Sequence, residues 1–331
     1  MAEGQHLIIG DLVVQPPLAL APMVGLSHSA LRTLVMELGG VGLLYTEMLS
    51  PKRLPQENEK ISPFLIRSQQ EFPLFYQLAL HEESLIEKAV EKVHALGAQG
   101  IDLNLGCPAP QLRRQGAGCA LSRNHIAVRK ILATLRRRTR LPISVKIRLG
   151  EQLDEVAYLD LCRTIEAEGA DCLTVHARLN GEKFCRKPRW EWIARTKENI
   201  HIPVLANGGI FTVEDARKCL QVTGADGLML GRGGVARPWI FGQIAAMISG
   251  KRVLRESLTL SNVYRRFTEL LTLRFPPERR LGRLKEFTHY FACSYAYGHQ
   301  LASSVQTSVL FTQAVERAEL FFLENEQIII P

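Results

Sequence analysis

PVLANGGIFTVEDARKCLQVTGADGLMLGRG, residues 203–233, contains two short apolar runs that both end in glycine-rich loops. Apolar runs of about four to eight residues bounded by turn residues are typical of strands buried on both faces. The segment between these two runs has a helical pattern. A strand, a helix and a second strand in this order form the repeating unit of parallel α/β folds. The stretch therefore predicts a parallel sheet that helices cover.

Six similar apolar runs precede this stretch, with helical patterns between them. The eight predicted strands are residues 18–23, 42–48, 73–79, 100–106, 142–148, 172–178, 203–209 and 227–233. Eight strands that alternate with helices over about 230 residues are typical of a (β/α)8 TIM barrel. Before the barrel, LIIGDLVVQ (residues 7–15) predicts a hairpin, which we expect to close the bottom of the barrel.

The last part of the chain has a different pattern. From about residue 245 it indicates helices only, and the Pro276–Pro277 pair is expected to interrupt them. We therefore predict a barrel domain over residues 1–245 and an all-helical domain over residues 246–331.

Composition excludes several classes of protein. No run approaches the ~20 apolar residues that a membrane span needs, and the N-terminus lacks the pattern of a secretory signal. Seven cysteines without a CxxC pair favour reduced thiols in the cytoplasm, and they form no zinc-like cluster. We therefore expect a cytoplasmic protein without a metal site.

Positive charge is concentrated in two segments of a chain whose net charge is +8. Residues 103–150 hold eleven Lys or Arg and no Asp or Glu, and residues 251–285 hold ten cations against three carboxylates. Such runs are typical of solvated helix faces, but two of them also suit a phosphate-rich partner.

Polar residues stand at the ends of six of the eight predicted strands, where barrels have their active sites. They are Gln77, Asn104, Cys107, Lys146, Arg148, His176, Arg178, Asn207 and Arg232, and Gly208 and Gly231 stand beside the last two. The glycine-rich loops after the last two strands suit a phosphate, to which Arg232 would add a charge. Gln77 could bind the pyrimidine edge of a flavin and Lys146 could stabilise its reduced form, although a structural salt bridge would also explain Lys146.

Cys107 lies on a Gly-Cys-Pro corner at the end of the fourth strand, in IDLNLGCPAP (residues 101–110). Most buried cysteines are inert, and Cys107 could be a small apolar plug. At an active-site strand end, however, a thiol can be a nucleophile or a proton donor. Beside a flavin, the position favours the role of proton donor.

Together these segments resemble the tRNA-dihydrouridine synthase family over nearly the whole chain. The matching motifs are LAPMVGLSHSALRTL, YTEM, YQLA, IDLNLGCPAPQLRRQGAGCAL, ISVKIRL, VHAR, VLANGGI and GADGLMLGRGGVARPWIF. The resemblance implies bound FMN, NADPH as a transient reductant and a tRNA uridine as substrate. It implies that FMN gives hydride to C6 of the uracil and that Cys107 protonates C5.

The resemblance also implies roles for the other strand-end residues. Its FMN contacts correspond to Pro22, Met23, Gln77, Lys146, His176, Asn207, Gly208, Gly231 and Arg232. Asn104, Arg148 and Arg178 correspond to residues that face the uracil. For the tRNA backbone we predict contacts with Arg279, Arg280, Arg283 and Lys285, with Arg113, Arg114 and Arg186 in addition. We expect a monomer.

Some positions depart from the family pattern. His28 stands where an acidic residue is usual, Leu31 where Phe is usual, and Gly209 where an acidic or amide residue is more common. Two other functions stay open at this point. One is an FMN barrel acting on a small molecule, such as a dihydroorotate dehydrogenase; the other is a non-catalytic RNA-binding barrel.

Overall fold

The computed structural model describes residues 6–250 and 258–325. The chain begins with an antiparallel hairpin of strands β1 (Leu7–Ile9) and β2 (Leu12–Val14). Gly10 in its turn has a φ of 57°, a left-handed conformation that glycine adopts without steric cost. The predicted hairpin is therefore confirmed.

Eight parallel strands then form a closed barrel. They are β3 (Leu18–Leu20), β4 (Leu43–Tyr45), β5 (Leu74–Leu78), β6 (Gly100–Leu105), β7 (Ile143–Arg148), β8 (Cys172–His176), β9 (Val204–Asn207) and β10 (Gly227–Leu230). Each strand pairs with the next along the chain, and β10 pairs with β3 to close the ring. Nearly every strand residue is buried, as expected for a parallel sheet with packing on both faces. The predicted TIM barrel is confirmed, and its strands match the predicted runs.

The hairpin closes the amino-terminal end of the barrel, as predicted. Leu7, Ile9 and Val14 are buried against inward-facing barrel side chains. Those side chains include Ala19, Leu43, Tyr45, Phe75, Cys172, Leu205 and Met229. Gly10 lies beside Pro142 and Asp171, which stand just before β7 and β8. The opposite end of the barrel is therefore the end that stays open to a ligand.

Helices connect the strands and pack their apolar faces on the outside of the barrel. They are α1 (Ser29–Leu38), α2 (Ile86–Ala95), α3 (Pro110–Arg114), α4 (His125–Arg138), α5 (Glu155–Ala167), α6 (Glu191–Asn199), α7 (Val213–Thr223), α8 (Arg232–Ala236) and α9 (Ile240–Ser249). Short 3-10 turns occur at Leu54–Gln56, Glu83–Leu85 and Gly118–Arg123. Local sequence sets the ends of α7: Thr212 and Asp215 form a capping box at its start, and Gly224 ends it with a φ of 58°.

The described part of the tail, residues 258–325, folds mainly into helices, as predicted. They are α10 (Leu260–Arg274), α11 (Arg280–Phe291), α12 (Gly298–Gln306) and α13 (Phe311–Glu324), with 3-10 turns at Pro277–Arg279 and Ala292–Ser294. Helix α10 ends just before Pro276, so the expected interruption at the proline pair is confirmed. Aromatic rings fill the core of the tail: the Phe267 and Phe287 rings stack at 3.8 Å, and Tyr264 lies 5.2 Å from Phe322.

The tail docks on the barrel through α10 and α1. Arg266 of α10 forms an ion pair with Glu37 of α1 at 2.7 Å. Next to it, the His28 ring lies 6.0 Å from that of Phe267 and 5.2 Å from that of Phe275. Helix α9 spans position 245, and residues 251–257 lie outside the described residues. The boundary between the two domains stays a prediction.

Two further properties concern membranes and metals. Within residues 6–250 and 258–325, the helices lack the length and apolar character that crossing a membrane requires. The same residues hold no group of three or more His, Cys, Asp or Glu side chains placed to bind a metal ion.

Candidate active site

The carboxyl ends of the barrel strands surround a pocket with a volume of about 320 Å³. Strand-end residues and the loops that follow them form its wall, together with Glu286 and Tyr290 of α11. Each residue predicted to contact the cofactor or the uracil lines this pocket. They are Pro22, Met23, Gln77, Asn104, Cys107, Lys146, Arg148, His176, Arg178, Asn207, Gly208, Gly231 and Arg232. The structure thus brings them together, while their individual roles stay predictions.

Gln77 and Asn104 form an amide pair in the pocket wall. Asn104 Nδ2 donates to Gln77 Oε1 at 2.8 Å, and Gln77 Nε2 donates to Asp102 Oδ2 at 2.7 Å. Both amide side chains are buried. Their hydrogen bonds fix which end of each amide faces its neighbour, so the pocket presents these groups in one orientation.

The corner that carries Cys107 is held by Asn104. Asn104 Oδ1 accepts from the backbone N–H groups of Gly106, at 3.2 Å, and Cys107, at 2.9 Å. On the other side, Cys119 N donates to Cys107 O at 3.1 Å. Gly118 has a φ of 60°, and a Cβ there would lie 2.6 Å from that oxygen. The backbone of Cys107 is therefore fixed from both sides, and its half-buried thiol is free of disulfide bonding.

Lys146 projects from β7 into the pocket and pairs with an amide. Its Nζ donates to Asn207 Oδ1 at 3.1 Å, and Asn207 Nδ2 donates to Met229 O at 2.6 Å. Burial, followed by repulsion from Arg148, lowers the pKa of Lys146 to about 8. An anionic ligand next to this ammonium group would stabilise its charged form.

His176 and Arg178 form the next part of the wall. Arg178 Nη1 donates to His176 Nε2 at 3.0 Å, so the imidazole is neutral and carries its proton on Nδ1. Burial, with the neighbouring cations Lys146 and Arg148, holds the pKa of His176 well below its usual range. Arg178 also donates to the carbonyls of Arg186 and Phe184 within its own loop. Much of the hydrogen-bonding capacity of Arg178 is therefore used to order that loop.

At the glycine-rich strand ends, neighbouring atoms leave no room for a side chain. A Cβ on Gly208, which has a φ of 109°, would lie 2.7 Å from the His176 ring. A Cβ on Gly233 would lie 2.0 Å from the Ile210 carbonyl oxygen. Arg232 stands over the Phe184 ring at 4.3 Å. This end of the pocket combines a glycine-rich backbone with a positive charge, which suits a phosphate.

The cations predicted to contact the tRNA backbone lie outside the pocket wall. Arg280 donates to the carbonyls of Phe275 and Thr272, so it caps the end of α10. Arg283 is half-buried with its guanidinium 4.2 Å above the Phe275 ring. Lys285 is also half-buried, whereas Arg279 is exposed. In the barrel, Arg114 and Arg186 are exposed and Arg113 lies 3.7 Å from Glu151. Their contacts with RNA stay predictions.

Sequence reasoning missed three parts of the site. Phe184 lies in the loop after β8, and Tyr290 comes from the tail, so neither had a strand-end signal. Asp102 did have a signal in the sequence, because a carboxyl group that interrupts an apolar strand needs a partner inside the barrel.

Parallel barrels with a pocket of this kind at the carboxyl ends of their strands are enzymes, and the amide and ammonium groups suit a redox cofactor. The dihydrouridine synthase (Dus) family model matches residues 19–289. The chain therefore belongs to the dihydrouridine synthase family, as the sequence motifs predicted. Members of this family are oxidoreductases and are generally FMN-dependent.

Curated relatives agree with this assignment. A probable tRNA-dihydrouridine synthase 1 of Synechocystis sp. is 35% identical over 247 residues, which cover 73% of this chain and 68% of that protein. A tRNA-dihydrouridine(16) synthase of Aquipseudomonas alcaligenes is 32% identical over 298 residues, covering 87% and 94%. A tRNA-dihydrouridine synthase B of Pseudomonas aeruginosa is 34% identical over 236 residues, covering 71% of each chain.

Proposed function

We propose that this protein reduces a uridine of tRNA to 5,6-dihydrouridine, with bound FMN and with NADPH as the reductant. The observation that carries the proposal is that Gln77, Lys146 and Cys107, from three different strand ends, line the same pocket. A small-molecule FMN barrel would need the first two, and an RNA-binding barrel would need none of them.

The residues of the pocket fit FMN. Gln77 would hold the pyrimidine edge of the ring with its amide, and Lys146 would supply a positive charge that stabilises the reduced ring. Arg232 and the glycine-rich ends of β9 and β10 suit the phosphate. When bound, reduced FMN supplies the hydride for C6 of the uracil. Pro22, Met23, His176, Asn207, Gly208 and Gly231 complete the proposed binding site.

Cys107 is the proposed general acid. Its Sγ–H would give its proton to C5 of the uracil, and the Asn104 contact fixes the backbone from which the thiol projects. Asn104, Arg148 and Arg178 line the same pocket and would face the uracil. Arg148 donates to Leu179 O at 3.0 Å, so it also ties the loop after β8 to the site.

A uracil inside folded tRNA must leave its stack before it reaches Cys107, which costs a few kcal/mol. Phosphate contacts by surface cations offset this cost. The exposed Arg114, Arg186 and Arg279 are the predicted cations best placed for them, since their side chains stand in solvent. Cytoplasmic location and a monomeric state are part of the same proposal.

The test begins with the absorption spectrum of the purified protein. A protein that takes up no FMN contradicts the proposal. If FMN binds, incubation with NADPH and unmodified tRNA should give dihydrouridine. Cys107→Ala should keep the flavin and lose product, whereas the matched variant Cys293→Ala, at an exposed thiol of the tail, should keep both. Unchanged turnover in Cys107→Ala excludes the role of Cys107 as acid.

A further inference from the structure

Asp102 is a fully buried carboxyl group beneath the wall of the pocket. It lies on β6 between two neighbouring strands: Ser144 Oγ of β7 donates to Oδ1 at 2.5 Å, and Gln77 Nε2 of β5 donates to Oδ2 at 2.7 Å. Asp102 does not line the pocket itself. It acts on a ligand only through the side chains that it holds.

From Asp102 the hydrogen bonds run in one direction to the backbone of Cys107. Above about pH 7 Asp102 is mainly ionised and its carboxylate can only accept, so the NH₂ group of Gln77 faces Asp102 and its oxygen faces Asn104. The NH₂ group of Asn104 then faces Gln77, which leaves its oxygen for the backbone N–H of Cys107. Buried hydrogen bonds of this kind orient one another. The carboxylate at one end thus fixes two amide groups that could otherwise rotate by half a turn.

Charged and titratable groups face Asp102 from three other strands. Tyr45 of β4 and Cys172 of β8 keep their protons because burial raises the pKa of both. Lys146 of β7 carries the opposite charge and opposes the effect of burial, which raises the pKa of Asp102 to about 7. In turn, Asp102 supports the charge of Lys146, which burial and Arg148 oppose.

We propose that Asp102 is a positioning residue of the pocket. Its carboxylate orients the amides of Gln77 and Asn104. Its negative charge favours the charged form of Lys146, which follows the Asp102-paired Ser144 by two residues on β7. Where this role concerns FMN, it rests on the function proposed above.

The first experiment measures Lys146 in the full-length protein without FMN. Trace acetic anhydride labels each lysine according to its free-amine fraction, and mass spectrometry reads the label from about pH 6 to about pH 11. Asp102→Asn should shift the titration of Lys146 downward, while Lys88 and Lys130 on the outer helices serve as internal references. Ser144→Ala is the matched control at the alkaline end of this range, since it removes a hydrogen bond that lowers the pKa of Asp102 but leaves the carboxyl group itself in place. An unshifted Lys146 profile in Asp102→Asn overturns the role of the charge.

The second experiment measures FMN binding by fluorescence titration in a double-mutant cycle. Asp102→Asn should raise the dissociation constant about tenfold in the native background and less than about twofold in the Gln77→Ala background. Equal effects in the two backgrounds mean a general structural defect and overturn the positioning role. Thermal melting of each variant verifies folding, and Asp102→Ala replaces Asp102→Asn in the cycle if the latter does not fold.

The two experiments separate this inference from the function on which it rests. A native protein that binds no FMN refutes the proposed function, and the lysine titration still decides what Asp102 does. A native protein that binds FMN with additive variants refutes the role of Asp102 alone.

Discussion

His28 gives a direct test of how the tail docks on the barrel. The side chain is 1% exposed and lies between Phe267 and Phe275, and neither ring nitrogen has a hydrogen-bond partner among the described residues. Burial first, and then the charges of Arg283 and Arg32, hold the pKa of His28 well below its usual range. The folded protein therefore keeps His28 neutral where the unfolded chain would protonate it.

The sign and size of the effect follow from proton linkage. The unfolded state has a His pKa of about 6.5, so below that pH it binds a proton that the folded state refuses. Each pH unit below the unfolded pKa removes about 1.36 kcal/mol from the free energy of unfolding. Between about pH 7.5 and about pH 5, His28 should remove about 2 kcal/mol, provided that its folded pKa stays below that range.

Urea unfolding of the native chain and of His28→Leu, at several pH values across this range, measures the effect. Tryptophan fluorescence is a suitable signal because Trp239 of the barrel lies 6.2 Å from Phe291 of the tail. The native chain should lose about 2 kcal/mol more than His28→Leu on acidification. His299→Leu, at an exposed position of α12, should behave as the native chain. If His28→Leu and the native chain lose stability equally, His28 is protonated in the folded state and the packing argument is wrong.

Three further outcomes are expected. FMN binding should weaken as the pH rises through about 8, because Lys146 is mainly charged only below its pKa. Fluorescence titration measures the affinity, and Lys146→Met should bind FMN weakly at every pH. Arg32→Met should lower the free energy of unfolding by about 3–5 kcal/mol in urea, since it leaves the buried Glu71 carboxylate without its 2.6 Å ion pair. A loss below about 1 kcal/mol would show that this ion pair contributes little to stability. Gly208→Ala should lower the free energy of unfolding by about 1–3 kcal/mol, because Gly208 has a φ of 109° and lies close to the His176 ring. An unchanged free energy of unfolding would mean that the loop relaxes.

The strand ends were predictable because local patterns define them. An apolar run bounded by glycine fixes where a strand stops, and a parallel barrel places every such stop at one end. Gln77, Lys146 and Asn207 could therefore be assigned to one pocket although they come from separate strands. The hairpin before the barrel and the break at Pro276 depended on equally local signals, namely a turn sequence and the missing N–H of proline.

The partners of the polar side chains were decided by tertiary structure. The sequence predicted that RNA contacts Arg178, Arg280 and Arg283. In the structure, carbonyl oxygens and the Phe275 ring take up much of the binding capacity of these three side chains. Asp102 interrupts its strand in the sequence, but only the fold places Ser144 and Gln77 on either side of it. The sequence by itself determined the barrel, the helical tail and the set of residues at the strand ends, because backbone periodicity is local. Hydrogen bonds of about 3 Å between distant segments decide which of these residues bind one another and which remain free to bind a ligand. Only the packed structure sets those distances.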